Sequence, residues 1–113
     1  MHELALSRSI IDLVSECAAR EGLRTVSRVV IEVGVAAGVE REALRFCFDA
    51  LAEETLAQGA ELAIVPIALR ARCRSCKCDF APLSLISACP ECGGFDRDVF
   101  AGRELRVESI EGE

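Results

Sequence analysis

Cys73 and Cys76 bracket Arg74 and Ser75, Cys89 and Cys92 bracket Pro90 and Glu91, and twelve residues separate the two pairs. Each Cys-x-x-Cys presents two thiolates from one tight turn whose backbone N–H groups can donate to the sulfurs, and the Gly93-Gly94 pair permits close approach. The separation is below the roughly fifteen to twenty residues usual for ribbon-type sites, yet long enough for a hairpin to join the pairs. Four sulfurs complete a tetrahedron, which predicts one structural Zn(II) at Cys73, Cys76, Cys89 and Cys92, closed to water and substrate; iron or a pair of disulfides fits the spacing less well. Cys78, two residues beyond Cys76, competes as a ligand, but the Cys73/Cys76 pair mirrors Cys89/Cys92 and is preferred. Cys17 and Cys47 lie on apolar helical stripes and are expected in the core.

The only histidine is His2. The Met1 amine, the deprotonated His2 amide nitrogen and the His2 imidazole can close two adjoining chelate rings on one ion, and three coplanar nitrogens suit Ni(II) or Cu(II). A histidine at position three would fill all four planar sites, whereas His2 leaves one for Glu3, another side chain or a partner. An open position permits exchange, so this chemistry suits delivery rather than storage.

The 113 residues make about one domain with a small satellite. Half are apolar, but the aromatics are five Phe with no Trp or Tyr, so the expected core is aliphatic. Nineteen acidic against thirteen basic residues give a net charge of −6, which disfavours nucleic acid as a partner. The odd count of seven cysteines argues for metal rather than a disulfide scaffold. The start lacks a basic region followed by a long apolar run, and no stretch reaches membrane-spanning length, so the expectation is a cytoplasmic chain without a membrane partner. There is no His-Glu-x-x-His motif and no nucleophile with a histidine base; an enzyme is not expected.

The elements that must position these residues follow from periodicity. Leu6, Ile10, Leu13 or Val14, and Cys17 recur at helical spacing, predicting a helix over 4–21 that stops at Gly22. Residues 25–33 are rich in β-branched side chains and predict a strand with Val29, Ile31 and Val33 on one face. From Glu40 a second helix carries Leu44, Phe48 and Leu51, with Gly59 as its stop. Strands are predicted over 61–69, where Pro66 marks a sheet edge or the strand's end, and over 104–110. The fold class is therefore α+β: two helices packed on a small three-stranded sheet with an inserted zinc-ribbon-like domain that holds its metal through four cysteines. Residues 1–69 plus 102–113 form the first domain and 70–101 the zinc domain, with hinges expected near Arg70 and Gly102. The insert offers only Phe80, Leu83, Leu85, Ile86, Phe95, Val99 and Phe100 as apolar mass, so metal must supply much of its stability.

The run Met1-His2-Glu3-Leu4-Ala5-Leu6, the segment from Val39-Glu40 through Leu44-Arg45-Phe46-Cys47-Phe48-Asp49, and the paired cysteine motifs together resemble the HypA/HybF family of hydrogenase-maturation nickel metallochaperones. The resemblance covers essentially the full length. It implies that nickel is bound as cargo through His2, with the Met1 amine and the Glu3 backbone as neighbours. It also implies transfer, with a nickel-inserting accessory GTPase, to the precursor of a [NiFe]-hydrogenase large subunit. Some relatives place an aspartate implicated in the nickel site where this chain has Glu40; the residue also reads as a helix-start acid favoured by the dipole. Histidines beside the cysteine pairs, which link the two metal sites in some relatives, are missing here. The competing reading is a zinc-ribbon adaptor or nucleic-acid-binding module, resting on Arg70, Arg72, Arg74 and Lys77.

Overall fold

The computed structural model describes residues 3–113. The order is α1 (Glu3–Glu21), β1 (Val26–Gly34), α2 (Arg41–Ala52), β2 (Glu61–Ile67), β3 (Arg70–Cys73), β4 (Asp79–Phe80), β5 (Arg97–Ala101) and β6 (Leu105–Gly112). One sheet runs β2-β1-β6 and a second runs β4-β3-β5. Two helices with a three-stranded sheet and an inserted cysteine segment are as the sequence predicts, and the second sheet is additional. The chain divides into two compact units: Met1–Glu32 with Gly38–Val65 and Arg106–Glu113, and Val33–Ala37 with Pro66–Leu105.

In the first unit both helices bury residues four apart. Ile10, Val14 and Ala18 form the stripe of α1, and Leu44, Phe48 and Ala52 that of α2. Val14, Leu44 and Phe48 are fully enclosed, and each such side chain contributes roughly 1.5–3 kcal/mol of transfer free energy. Ser7, buried among them, donates its hydroxyl to the Leu44 carbonyl at 3.3 Å, so its polar atom is satisfied where α1 meets α2. Of the two positions left open in the periodicity, Val14 is buried and Leu13 is 47% exposed. Cys17 and Cys47 are only partly buried, flanking the stripes instead of lying in the core.

Burial in β1 exceeds its pattern: Val26 and Val30 are buried as well as Val29, Ile31 and Val33, so both alternating sets are covered on this central strand. β2 is an edge strand and Pro66 stands next to its end, where a missing N–H costs nothing. Helix α2 stops at Ala52, well before the expected Gly59. Glu54 turns left-handed (φ 63), and Thr55 bonds the Ala52 carbonyl through both its N–H (3.0 Å) and Oγ1 (2.6 Å). A side-chain cap thus ends the helix first, and Gly59 (φ 76) serves the turn leading into β2.

The second unit is built on antiparallel β3, with β4 on one side (Ala71 opposite Phe80, Arg72 opposite Asp79) and β5 on the other (Arg72 opposite Asp98, Cys73 opposite Arg97). Its core is Ala71, Cys73, Phe80 and Cys89 with Val99 packed against them. The large apolar side chains Leu83, Leu85, Ile86, Phe95 and Phe100 are exposed, Leu83 to 98% and Ile86 to 81%. Arg70 and Gly102 both lie inside this unit, where backbone segments approach closely. A Cβ on Gly34 would lie 2.2 Å from the Gly102 carbonyl, and one on Gly102 would lie 2.7 Å from the Leu69 Cα. Bonds from Gly34 N to Glu104 O (2.7 Å) and from Ala36 N to Gly102 O (2.8 Å) fix this close approach.

Candidate metal centre

The two cysteine turns carry the same backbone bonds. Lys77 N donates to Cys73 O (2.9 Å) and Cys73 N to Cys78 O (2.9 Å); Gly93 N donates to Cys89 O (2.8 Å) and Cys89 N to Gly94 O (2.8 Å). Each turn needs left-handed backbone at the residue after its second cysteine, supplied by Gly93 (φ 74) without strain and by Lys77 (φ 66) against it.

These turns bring the sulfurs of Cys73, Cys76, Cys89 and Cys92 within 4.8 Å of one another. Cys73 Sγ is 3.5 Å from Cys92 Sγ, and Cys76 Sγ is 3.7 Å from Cys89 Sγ. A tetrahedral Zn(II) with bonds of about 2.3 Å separates its sulfurs by about 3.8 Å, so the donor set fits that ion with little movement. Among the described residues this is the only group of three or more metal-ligating side chains. Cys78 is not part of it: its position corresponds to Gly94, and its thiol donates to the Asp79 carbonyl at 3.3 Å.

Proximity sets the thiol chemistry. Cys73 is pulled down to about 6, chiefly by the backbone N–H of Cys76 and further by Cys92 and the N–H of Ser75, against burial. For Cys76 the N–H of Cys78 also pulls downward, but lost hydration and shared protons with Cys89, Cys73 and Cys92 win and push it up to about 12. Cys92 is raised too, the Gly94 N–H being outweighed by Cys73 and lost hydration. Four thiols in contact do not all ionise on their own; a divalent cation supplies the charge that lets them.

Arginines from β3 and the first turn fasten this centre to its sheet. Arg74 Nη1 bonds Asp96 Oδ1 at 2.9 Å and its Nη2 bonds Asp98 Oδ1 at 2.5 Å, while Arg72 grips both oxygens of Asp79 (2.6 and 3.1 Å). Both carboxylates are held below their usual range, Asp98 first by its bond to Arg74 and Asp79 first by its bond to Arg72. Charge alone groups these arginines without revealing their partners; the alternation of Arg70, Arg72 and Arg74 against Asp96 and Asp98 is the sequence signal that points to them.

At the other candidate site, Met1 and His2 lie outside the described residues. Glu3 opens α1, and its Oε2 accepts the backbone N–H of Glu40 at 3.2 Å. Glu40 is the N-cap of α2, its carboxylate accepting from Glu42 N (3.3 Å) and Ala43 N (2.6 Å). The helix-start role of Glu40 is thus filled.

Fold and site define a small α+β metal-binding protein with a closed thiolate knuckle set into a two-helix, three-stranded host. Residues 1–112 match the family described as hydrogenase/urease nickel incorporation, metallochaperone, hypA, and the chain belongs to it. It is 40% identical over 111 residues to a hydrogenase maturation factor HypA of Geotalea uraniireducens, covering 98% of each chain. It is 43% identical over 110 residues to one of Chlorobium phaeobacteroides, covering 97% of each. The solution structure of the Ni metallochaperone HypA from Helicobacter pylori superposes with a TM-score of 0.74 at 27% identity, over 99% of this chain and 97% of that one. No helix among the described residues is long and apolar enough to cross a membrane.

Proposed function

We propose that this chain carries Ni(II) at its first residues and delivers it for [NiFe]-hydrogenase maturation, while Cys73, Cys76, Cys89 and Cys92 hold a structural Zn(II). The carrying observation is the closed character of the cysteine cluster. Four sulfurs within 4.8 Å leave no open position, so an exchangeable ion needs another site. The start of the chain, where His2 and a free Met1 amine provide planar nitrogen donors, is the sequence feature that fits. In this reading residues 1–69 plus 102–113 bind nickel and 70–101 bind zinc. The receivers are a nickel-inserting accessory GTPase and a hydrogenase large-subunit precursor in the cytoplasm, and the chain performs no catalysis itself.

The nucleic-acid alternative loses its footing on the same surface. Arg72 and Arg74 are committed to Asp79, Asp96 and Asp98. Native mass analysis of untagged protein tests the proposal: one tightly held zinc and one weaker nickel are expected, with nickel lost on His2→Ala. Retention of nickel by that variant at wild-type affinity overturns it. Because imidazole titrates near about 6.5 and a terminal amine near about 7.7–8.0, nickel is expected to leave in mild acid while zinc stays.

A further inference from the structure

β5 begins at Arg97, which the register sets directly opposite Cys73 on β3. Directly opposed residues of an antiparallel pair send their side chains to the same face, with Cβ atoms about 4.5–5.5 Å apart. That face is the inner one: Cys73 is buried in it, and Val99, two residues along β5 and opposite Ala71, packs on the same cluster. An arginine thus stands beside a metal-ligating cysteine on the side of the sheet otherwise given to apolar side chains. Its Nε donates to the Phe95 carbonyl at 3.1 Å. Its Nη1 is buried with no hydrogen-bond partner, the one such side-chain atom among the described residues.

A guanidinium stays protonated, so an unpartnered Nη1 is a cationic donor without an acceptor, a state that native structures rarely tolerate. The carboxylates of the sheet do not serve it: Asp79 is held by Arg72, and Asp96 and Asp98 by Arg74, all in exposed pairs. Four thiolates around one divalent cation carry a net charge of about −2, which makes the cysteine cluster the acceptor that the inner face lacks.

We propose that Arg97 is a positioning and charge-balancing residue for the metal centre, its guanidinium donating to the thiolates that surround Zn(II). The inference rests on the reading that Cys73, Cys76, Cys89 and Cys92 hold that ion. A cation beside the cluster stabilises its excess negative charge, and N–H donation to a metal-bound sulfur lowers the energy of its lone pairs.

The test uses full-length protein loaded with zinc and titrated with a chromophoric chelator, comparing wild type, Arg97→Met, Arg97→Lys and Arg70→Met. Removing an outer partner of a metal ligand costs about 10–100-fold in metal affinity, so Arg97→Met is expected to bind zinc at least about tenfold more weakly. Arg97→Lys keeps the charge and recovers part of the loss. Arg70→Met deletes the same charge from the exposed side of β3, where Arg70 lies over the Phe100 ring, and stays within about twofold of wild type. Cobalt substitution supplies a readout that lost packing does not move. In Arg97→Met the sulfur-to-metal charge-transfer band shifts to lower energy while the ligand-field bands keep the pattern of four sulfurs. Where Arg97→Met folds poorly, Arg97→Gln takes its place in both measurements. Zinc affinity within about threefold of wild type, an unmoved band, or a loss shared in full by Arg97→Lys or Arg70→Met overturns the proposal. Cys76→Ser separates the failures. If it retains zinc at wild-type affinity, the cysteine reading falls and takes Arg97 with it; if it loses zinc while Arg97→Met does not, only the role of Arg97 falls.

Discussion

Lys77 and Gly93 occupy the same place in two turns that are hydrogen-bonded alike, and only one of them is suited to it. Both have φ near 70° (66° and 74°), and Lys77 carries a Cβ that disfavours this conformation. Lys77→Gly is expected to stabilise the metal-loaded protein by about 0.5–1 kcal/mol, the relief of left-handed strain being partly offset by the extra freedom of glycine in the unfolded chain. Gly93→Ala is expected to destabilise by a similar amount. Thermal melts of the zinc form give the comparison, and a lower Tm for Lys77→Gly contradicts it.

Cys76→Ser and Cys78→Ser are expected to behave oppositely although the residues are two apart. The first removes a sulfur from the four-membered cluster and weakens zinc binding by several orders of magnitude; the second removes a thiol bonded to a carbonyl outside it. Structural zinc contributes about 10–16 kcal/mol in small peptides, so chelation of the wild-type metal should unfold the cysteine-bearing segment. Metal analysis after dialysis decides between the two variants, and loss of zinc in Cys78→Ser would require reassigning the fourth ligand.

Gly34→Ala places a methyl group 2.2 Å from the Gly102 carbonyl, where backbone meets backbone and no side chain can yield. An overpacking cost of about 2–3 kcal/mol is expected. Denaturant unfolding measures it, and a variant within about 0.5 kcal/mol of wild type, on the order of a neutral surface change, would show that the packing relaxes.

Asp98 has its pKa depressed first by Arg74, which fixes the sign of its pH dependence. A carboxyl lowered on folding stabilises above its unfolded pKa of about 3.9 and loses that contribution as pH falls through the folded value. Asp98→Asn should therefore be less stable than wild type by a constant margin between about pH 5 and 8, where zinc is still bound. The pair is exposed, so the margin is small. Urea denaturation across that range checks it, and a margin that closes before the lower end of the range is reached contradicts the assignment.

Sequence periodicity locates both helices because their buried residues repeat every four positions, and it locates the cysteine cluster because Cys-x-x-Cys pairs leave few other geometries. It misplaces the end of α2, where the Thr55 side chain captures the Ala52 carbonyl ahead of the expected glycine stop. It also misses the whole second sheet, since β3, β4 and β5 run only four, two and five residues and are too short to show a period. The Glu3 to Glu40 bond links residues whose pairing is set by how α1 packs on α2, and nothing local announces it.

Leu83 and Ile86 lie almost wholly in water, while the buried cluster of this unit is Ala71, Phe80 and the two cysteines Cys73 and Cys89, with Val99 against them. Leu83 and Ile86 can therefore be exchanged for polar side chains with little effect on packing, whereas Phe80 and Pro82, a few residues earlier in the same connection, are buried and cannot.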